Sequence, residues 1–459
     1  MSRPCALLSL SFALLTGSGH AQTPQDTSLE ALAEAARARP GNADAQTAYG
    51  RALIQAGDYT RAERALRGAS RIRRGSLESL YELARIAFAQ NDYRSARRAC
   101  RALEREERNA ALTHVCRARA FLVWNRSGRA FEELEAAQAA SGPPFETHLA
   151  FGDAYRLRAD VEQAEQAYQA AIADSPTSAA PHAGLGMLYL AARRTNDARA
   201  AFQAARQRDP EDPEVNLALG RIVGGSEGLQ LIERAVARRP SDPGAQVALG
   251  EAQLAASNLD AADAAFSAAL EADSRRAPAH AGKGLVALER GELDAAEASL
   301  RRAIELVPND AAAVLALARV SEARGDTREA IESYRHASDL DPSNPQGLLS
   351  AARIALGQNR AVLASAFLDR LLQRHPNLGP ALVLYGDARA AQGDRAGARR
   401  HYERALSAGG DIDRADVQGR IDALAGAPGG PRPHTPPPPR PRAGRRAPRP
   451  AQAGAGRAV

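Results

Sequence analysis

Small and apolar residues return along this chain with a fixed step. Alanine stands at positions 62, 96, 130, 164 and 198, and again at 262, 296, 330, 364 and 398, each 34 residues after the one before. The stretch from Ala198 to Ala262 is four residues short of two such steps, and its equivalent position falls at Gly228. Twelve residues before these alanines lies a small residue, as at Gly50, Ala84, Ala118, Gly152 and Gly186. Four after comes a larger apolar one, as at Leu66, Tyr168, Phe202, Phe266 and Tyr402, and seven after is mostly alanine again. Steps of three and four place these residues on one helical face. Small residues let two helix backbones approach, and the larger residue fills the space beside them. Gly57-Asp58, Gly325-Asp326 and Gly393-Asp394 supply tight turns. Prolines at 176, 210, 308, 342 and 376 stop the helix that follows each turn. The pattern predicts a helical hairpin repeated about eleven times.

Such hairpins bury their apolar faces only against neighbours, so the ends of the array need caps. Residues 28–39 read as a lone helix before the first hairpin. Asp411 to Leu424 reads as a closing helix with Asp411, Asp413, Arg414 and Asp416 facing water. The expected layout is a leader at 1–21 and a partial repeat at 22–40. A first arm follows over 41–240, a second over 241–410, a capping helix over 411–426 and a tail over 427–459. The shortened unit around Gly220 to Gly228 is expected to divide the two arms.

The two ends differ from the middle. Arg3, the apolar stretch Ala6 to Leu15 and the small residues of Gly19-His20-Ala21 form a secretory-type leader, with cleavage expected before Gln22. That apolar stretch is too short to span a bilayer stably, and no run elsewhere approaches 18 apolar residues, so a transmembrane anchor is not expected. Export, most simply to a bacterial periplasm or exterior, implies a compartment that permits disulfides. The net charge of +6 belongs to the tail. Seven arginines, including Arg432, Arg440, Arg442, Arg445, Arg446 and Arg449, stand there with no acid, and the rest of the chain is close to neutral. Pro436 to Pro439 excludes a helix or sheet interior. The tail reads as an extended linker or as an electrostatic contact with anionic envelope components. No aromatic residues interleave its arginines to stack bases, which argues against nucleic acid.

The 34-residue period with its four columns resembles the tetratricopeptide repeat family, over roughly Gly41 to Gly410. The resemblance implies an all-α, right-handed superhelical solenoid whose first helices line a concave groove for extended peptides or partner helices. In this family the residue after the small column usually faces the groove. Here Arg51, Arg85 and Arg119 occupy that place in the first three units, with Tyr81, Phe88, Val115, Leu122 and Leu149 on the same helices. Arginine beside aromatic or aliphatic anchors is the composition that dominates protein interfaces. The implied partner-binding surface is therefore these eight residues, with Arg85 and Arg119 favouring acidic partners. One column departs from the family, which often has tryptophan or another large residue there. Here it reads Gln46, Leu80, His114, His148, His182, Gln246, His280, Val314, Leu348 and Leu382.

Candidate chemistry is sparse. Histidines 114, 148, 182 and 280 fall on equivalent places of separate hairpins, two helix widths or roughly 10–20 Å apart, too far for the ~2 Å bonds of a shared metal. Cys100 and Cys116 flank an expected turn near residue 108 on consecutive antiparallel helices, where they could form a disulfide or remain two buried thiols. Gly224-Gly225-Ser226-Glu227-Gly228 matches a hydrolase nucleophile elbow by letter, but that motif needs a strand before it and a helical pattern precedes it here. No cofactor, metal or active site is expected. The sequence reads as a non-enzymatic scaffold that recruits proteins in envelope assembly or export. The alternatives are a spacer tethered by its basic tail and an accessory subunit of an enzyme complex.

Overall fold

The computed structural model describes residues 29–426, apart from 56–57, 73–75, 91 and 108–109. The expected leader, the basic tail with its arginines and the turn residue Gly57 lie outside the described residues. Among the described residues there are 24 α-helices and no strand. A lone helix, α1 (Leu29–Ala38), precedes the hairpins. The first four hairpins are α2 (Ala43–Gln55) with α3 (Tyr59–Ile72), α4 (Leu77–Ala89) with α5 (Tyr93–Glu106), α6 (Ala111–Val123) with α7 (Ser127–Ala139), and α8 (Pro144–Leu157) with α9 (Val161–Asp174). Next come α10 (Ala180–Ala191) with α11 (Thr195–Arg208), α12 (Pro213–Val223) with α13 (Gly225–Arg238), and α14 (Pro243–Ala255) with α15 (Leu259–Ala272). Then follow α16 (Ala277–Arg290) with α17 (Leu293–Leu306), and α18 (Ala311–Arg324) with α19 (Thr327–Leu340). The last are α20 (Gln346–Gly357) with α21 (Ala361–Arg374) and α22 (Gly379–Ala391) with α23 (Arg395–Ala408), closed by α24 (Arg414–Gly426).

The columns explain the packing. All ten alanines of the 34-residue series are fully buried. The larger residue four positions on lies against the small residue of the partner helix. A Cβ added at Gly152 would sit 2.6 Å from the Tyr168 ring, and one at Gly250 would sit 2.6 Å from Phe266. In eight of the hairpins, besides the shortened one, the inner turn takes a residue of positive φ. Gly291, Gly325 and Gly393 supply it, but Asn125, Ala159, Arg193, Ser257 and Asn359 adopt the same conformation without glycine's freedom.

The chain divides into two compact units, Met1–Asp341 and Pro342–Val459. The division expected at the shortened hairpin is not where it falls. Helices α12 and α13 lie inside the first unit, and both pack on α14. The shortening is absorbed locally. Gly224 is the single residue between α12 and α13, at φ 64° and ψ −171°, a conformation essentially restricted to glycine. At Gly228 a Cβ would lie 2.4 Å from the Gly220 carbonyl oxygen, so glycine lets the two helices close on each other. The hydrolase-like pentapeptide is this junction.

The departing column is also explained. Gln46, Gln246 and His280, with Asn216 at the equivalent place of the shortened unit, bond back to the end of the helix before, whereas His148 pairs within its own hairpin. Gln46 Nε2 donates to the Ala36 carbonyl, Asn216 Nδ2 to Pro210 and Gln246 Nε2 to Pro240, at 2.8–2.9 Å. His280 Nε2 lies 3.1 Å from the Ser274 carbonyl, and His148 Nδ1 lies 2.6 Å from Asp174 Oδ2. Where large residues would fill space, Gln46, Asn216, Gln246 and His280 reach carbonyls left open at a helix end.

Candidate binding cavity on the first helices

Helices α2, α4, α6 and α8, the first of their hairpins, pack in succession. Between them lies a cavity of about 300 Å³. Tyr81, Leu112, Pro143, Pro144 and Phe145 give it apolar walls. Its polar lining is Arg51, Glu78, Glu82, Glu146 and Asp174. Local sequence sets this arrangement. Pro143 holds an extended backbone and Pro144 opens α8, a position where its missing N–H costs nothing. Phe145 and Glu146 therefore fall in the first turn, and Glu146 sits where the helix dipole favours an acid.

The arginines of the expected row are held by these acids. Arg51 Nε donates to Glu82 Oε1 at 2.9 Å, and its Nη2 reaches Glu78 Oε2 at 3.4 Å. Arg85 Nη1 donates to Glu82 Oε2 at 2.9 Å. Arg119 Nη2 donates to Glu146 Oε2 at 3.3 Å, an oxygen that also accepts from the Tyr81 hydroxyl at 2.9 Å. Burial pushes the Tyr81 phenol well above its ordinary value, so it stays a neutral donor. Burial opposes the charge on Arg85, but Glu82 and Glu146 outweigh it and hold the guanidinium above its ordinary value.

Exposure separates the eight expected surface residues. Arg51 and Tyr81 line the cavity. Arg85 and Arg119 are 5% and 1% exposed, behind their glutamates. Phe88, Val115 and Leu122 are buried in one core cluster with Tyr81, and Leu149 is buried in the next. The inward faces of α4, α6 and α8 close over them as these helices pack, so they support the cavity rather than present side chains. Two donors of Arg119, Nε and Nη1, have no hydrogen-bond partner among the described residues. The expectation that Arg85 and Arg119 offer charge to an acidic partner meets this geometry: the charge that faces the cavity is mostly carboxylate.

Glu78, Glu82, Glu146, Asp174 and Phe145 were not singled out by the sequence. A signal was present. Asp44, Glu78 and Glu146 share one column of the repeat, seven residues before the arginine column.

Cys100 on α5 and Cys116 on α6 are disulfide-bonded, with Cα atoms 5.6 Å apart. The bond ties the second hairpin to the third. Among the described residues no three or more His, Cys, Asp or Glu side chains are grouped so that they could hold a metal ion. No helix among them is long and apolar enough to cross a membrane.

Tetratricopeptide repeat models match residues 226–277, 247–311 and 281–345, and others match 26–76, 53–115, 155–222 and 321–382. Together they cover more than half of the chain, which therefore belongs to the tetratricopeptide repeat family, whose members generally act as protein-interaction scaffolds. A search of the curated proteins gives no match. Among solved structures, yeast Tom70 is similar at 12% identity and a TM-score of 0.45, over 84% of this chain and 96% of that one. Cut9 in the APC/C Cut9–Hcn1 hetero-tetramer is similar at 14% identity and 0.44, over 85% and 92%. A thermophilic repeat protein of Thermus thermophilus is similar at 28% identity and 0.35, over 39% and 99%.

Proposed function

We propose that this chain is a non-enzymatic protein-interaction scaffold of the cell envelope or of an export assembly, and that the inner face of α2, α4, α6 and α8 receives a segment of its partner. The observation that carries this reading is the cavity between those helices, which joins aromatic and apolar walls to a few convergent polar groups. The leader-like N-terminus and the cysteine pair support an exported location. A photo-crosslinking residue placed at Glu78 in the native host should give one discrete protein adduct, and one at Arg101, exposed on the second helix α5, should give none. Equal adducts from both positions would overturn the inner-face reading.

The acid-free run of arginines in residues 427–459 favours a second reading, in which the tail anchors the chain to an anionic surface and the hairpins act as a spacer. Deleting residues 427–459 then releases the protein from the surface. On the first reading the deletion leaves the Glu78 adduct intact.

A further inference from the structure

The cavity has a sign. Four carboxylates and one guanidinium line it. Arg51 is shared between Glu78 and Glu82, and Arg85 and Arg119 behind the wall pair with Glu82 and Glu146, which leaves the group one negative charge in excess, carried on the side that faces the cavity. Glu146 is 7% exposed and lines the cavity, yet both of its bonds fall on Oε2. Its Oε1 accepts no hydrogen bond from the described residues. That oxygen is not one of the buried atoms left without a partner, so it opens on the cavity, where an occupant's donor would find a free acceptor. Asp174 bonds His148 through Oδ2 only, and the Glu78 side chain is 52% exposed.

We infer that this cavity takes an arginine side chain from a basic, acid-free segment of a partner protein; the assignment rests on the inner-face reading above and names the chemistry of that partner. A guanidinium carries donors in a planar fork that can serve two carboxylates at once. It is more weakly hydrated than an ammonium and stacks on aromatic faces such as Tyr81 and Phe145. Its aliphatic stem suits Leu112, Pro143 and Pro144. A volume of about 300 Å³ is at the small end of ligand cavities and suits one side chain rather than a whole helix. An acidic side chain in the same place would face Glu78, Glu82, Glu146 and Asp174, and like charges at an interface are strongly disfavoured.

The test uses fluorescence anisotropy of the full chain with two labelled ten-residue peptides, identical except that one carries two arginines and the other two glutamates. Two variants report on the cavity. Leu112→Trp fills it without changing charge. Glu78→Gln with Asp174→Asn removes charge at positions accessible enough to leave the fold intact. The arginine peptide should bind and lose at least tenfold in affinity in both variants. The glutamate peptide should be indifferent to both. If Leu112→Trp weakens the glutamate peptide and not the arginine peptide, the charge assignment falls while the inner face stands. An arginine peptide blocked by Leu112→Trp but unmoved by the charge variant has the same meaning. If Leu112→Trp moves neither peptide, the inner-face reading falls too. Tighter binding of a peptide of residues 431–449 would seat a second copy of this chain in the cavity and overturn the assignment to a partner.

Discussion

Glu146 anchors a pair whose two halves are not equivalent. It holds Tyr81 and Arg119 on one oxygen and keeps the other at the cavity. Arg119 is 1% exposed and leaves Nε and Nη1 unmatched. Removing the acid strands a buried guanidinium, whereas removing the base leaves a carboxylate that still has Tyr81 and an opening. Glu146→Gln should therefore destabilise the first unit by about 3 kcal/mol, Arg119→Met should be nearly neutral, and the double variant should recover most of the loss. Urea midpoints of the three proteins check the order. This asymmetry was not legible in the sequence. The 34-residue period sets Arg51, Arg85 and Arg119 in one column, as like beside like. The ion pairs join different columns, Arg51 to Glu82 and Arg119 to Glu146, across neighbouring first helices. A period shows which residues are equivalent, not which of them turn toward one another.

At the scale of the element, the sequence was far more informative. The alanine series, the small column and the large residue opposite it are consequences of two helices in close approach, and each occupies the buried place its spacing implies. Gly250 measures how close that approach is. Alanine is the better helix former by about 1 kcal/mol, but at position 250 its Cβ would press on Phe266. Gly250→Ala should cost about 1–3 kcal/mol through overpacking. Gly68→Ala in α3, where a Cβ would meet nothing within 4 Å, should instead stabilise by about 1 kcal/mol. Thermal melts of the two variants should shift in opposite directions. The turns were half legible. Glycine-aspartate pairs marked some, but Ala159 and Arg193 hold the same left-handed backbone with nothing in their side chains to announce it.

At the scale of the molecule, the eleven hairpins and their end helices follow from the repeat, whereas the division between Asp341 and Pro342 does not. The four missing residues near Gly224 looked like a boundary, because a break in period is the only discontinuity a sequence of repeats displays. Glycines 220, 224 and 228 let the stack continue through it. The covalent link between Cys100 and Cys116 has a wider reach than its two residues. It spans 16 positions of chain, and closing a loop of that size is worth about 3 kcal/mol on an entropic account. Without it, as in a Cys100→Ser, Cys116→Ser variant, amide exchange across α5 and α6 should quicken by about a hundredfold, read by mass spectrometry. Repeat arrays open from their weakest seam, and here one seam is riveted. Fraying that begins at the N-terminal hairpins has to stop at the rivet. Since α4 and α6 belong to the two hairpins it joins, the spacing of those two helices, and on the inner-face reading the hold on a partner, depends on whether that link is intact.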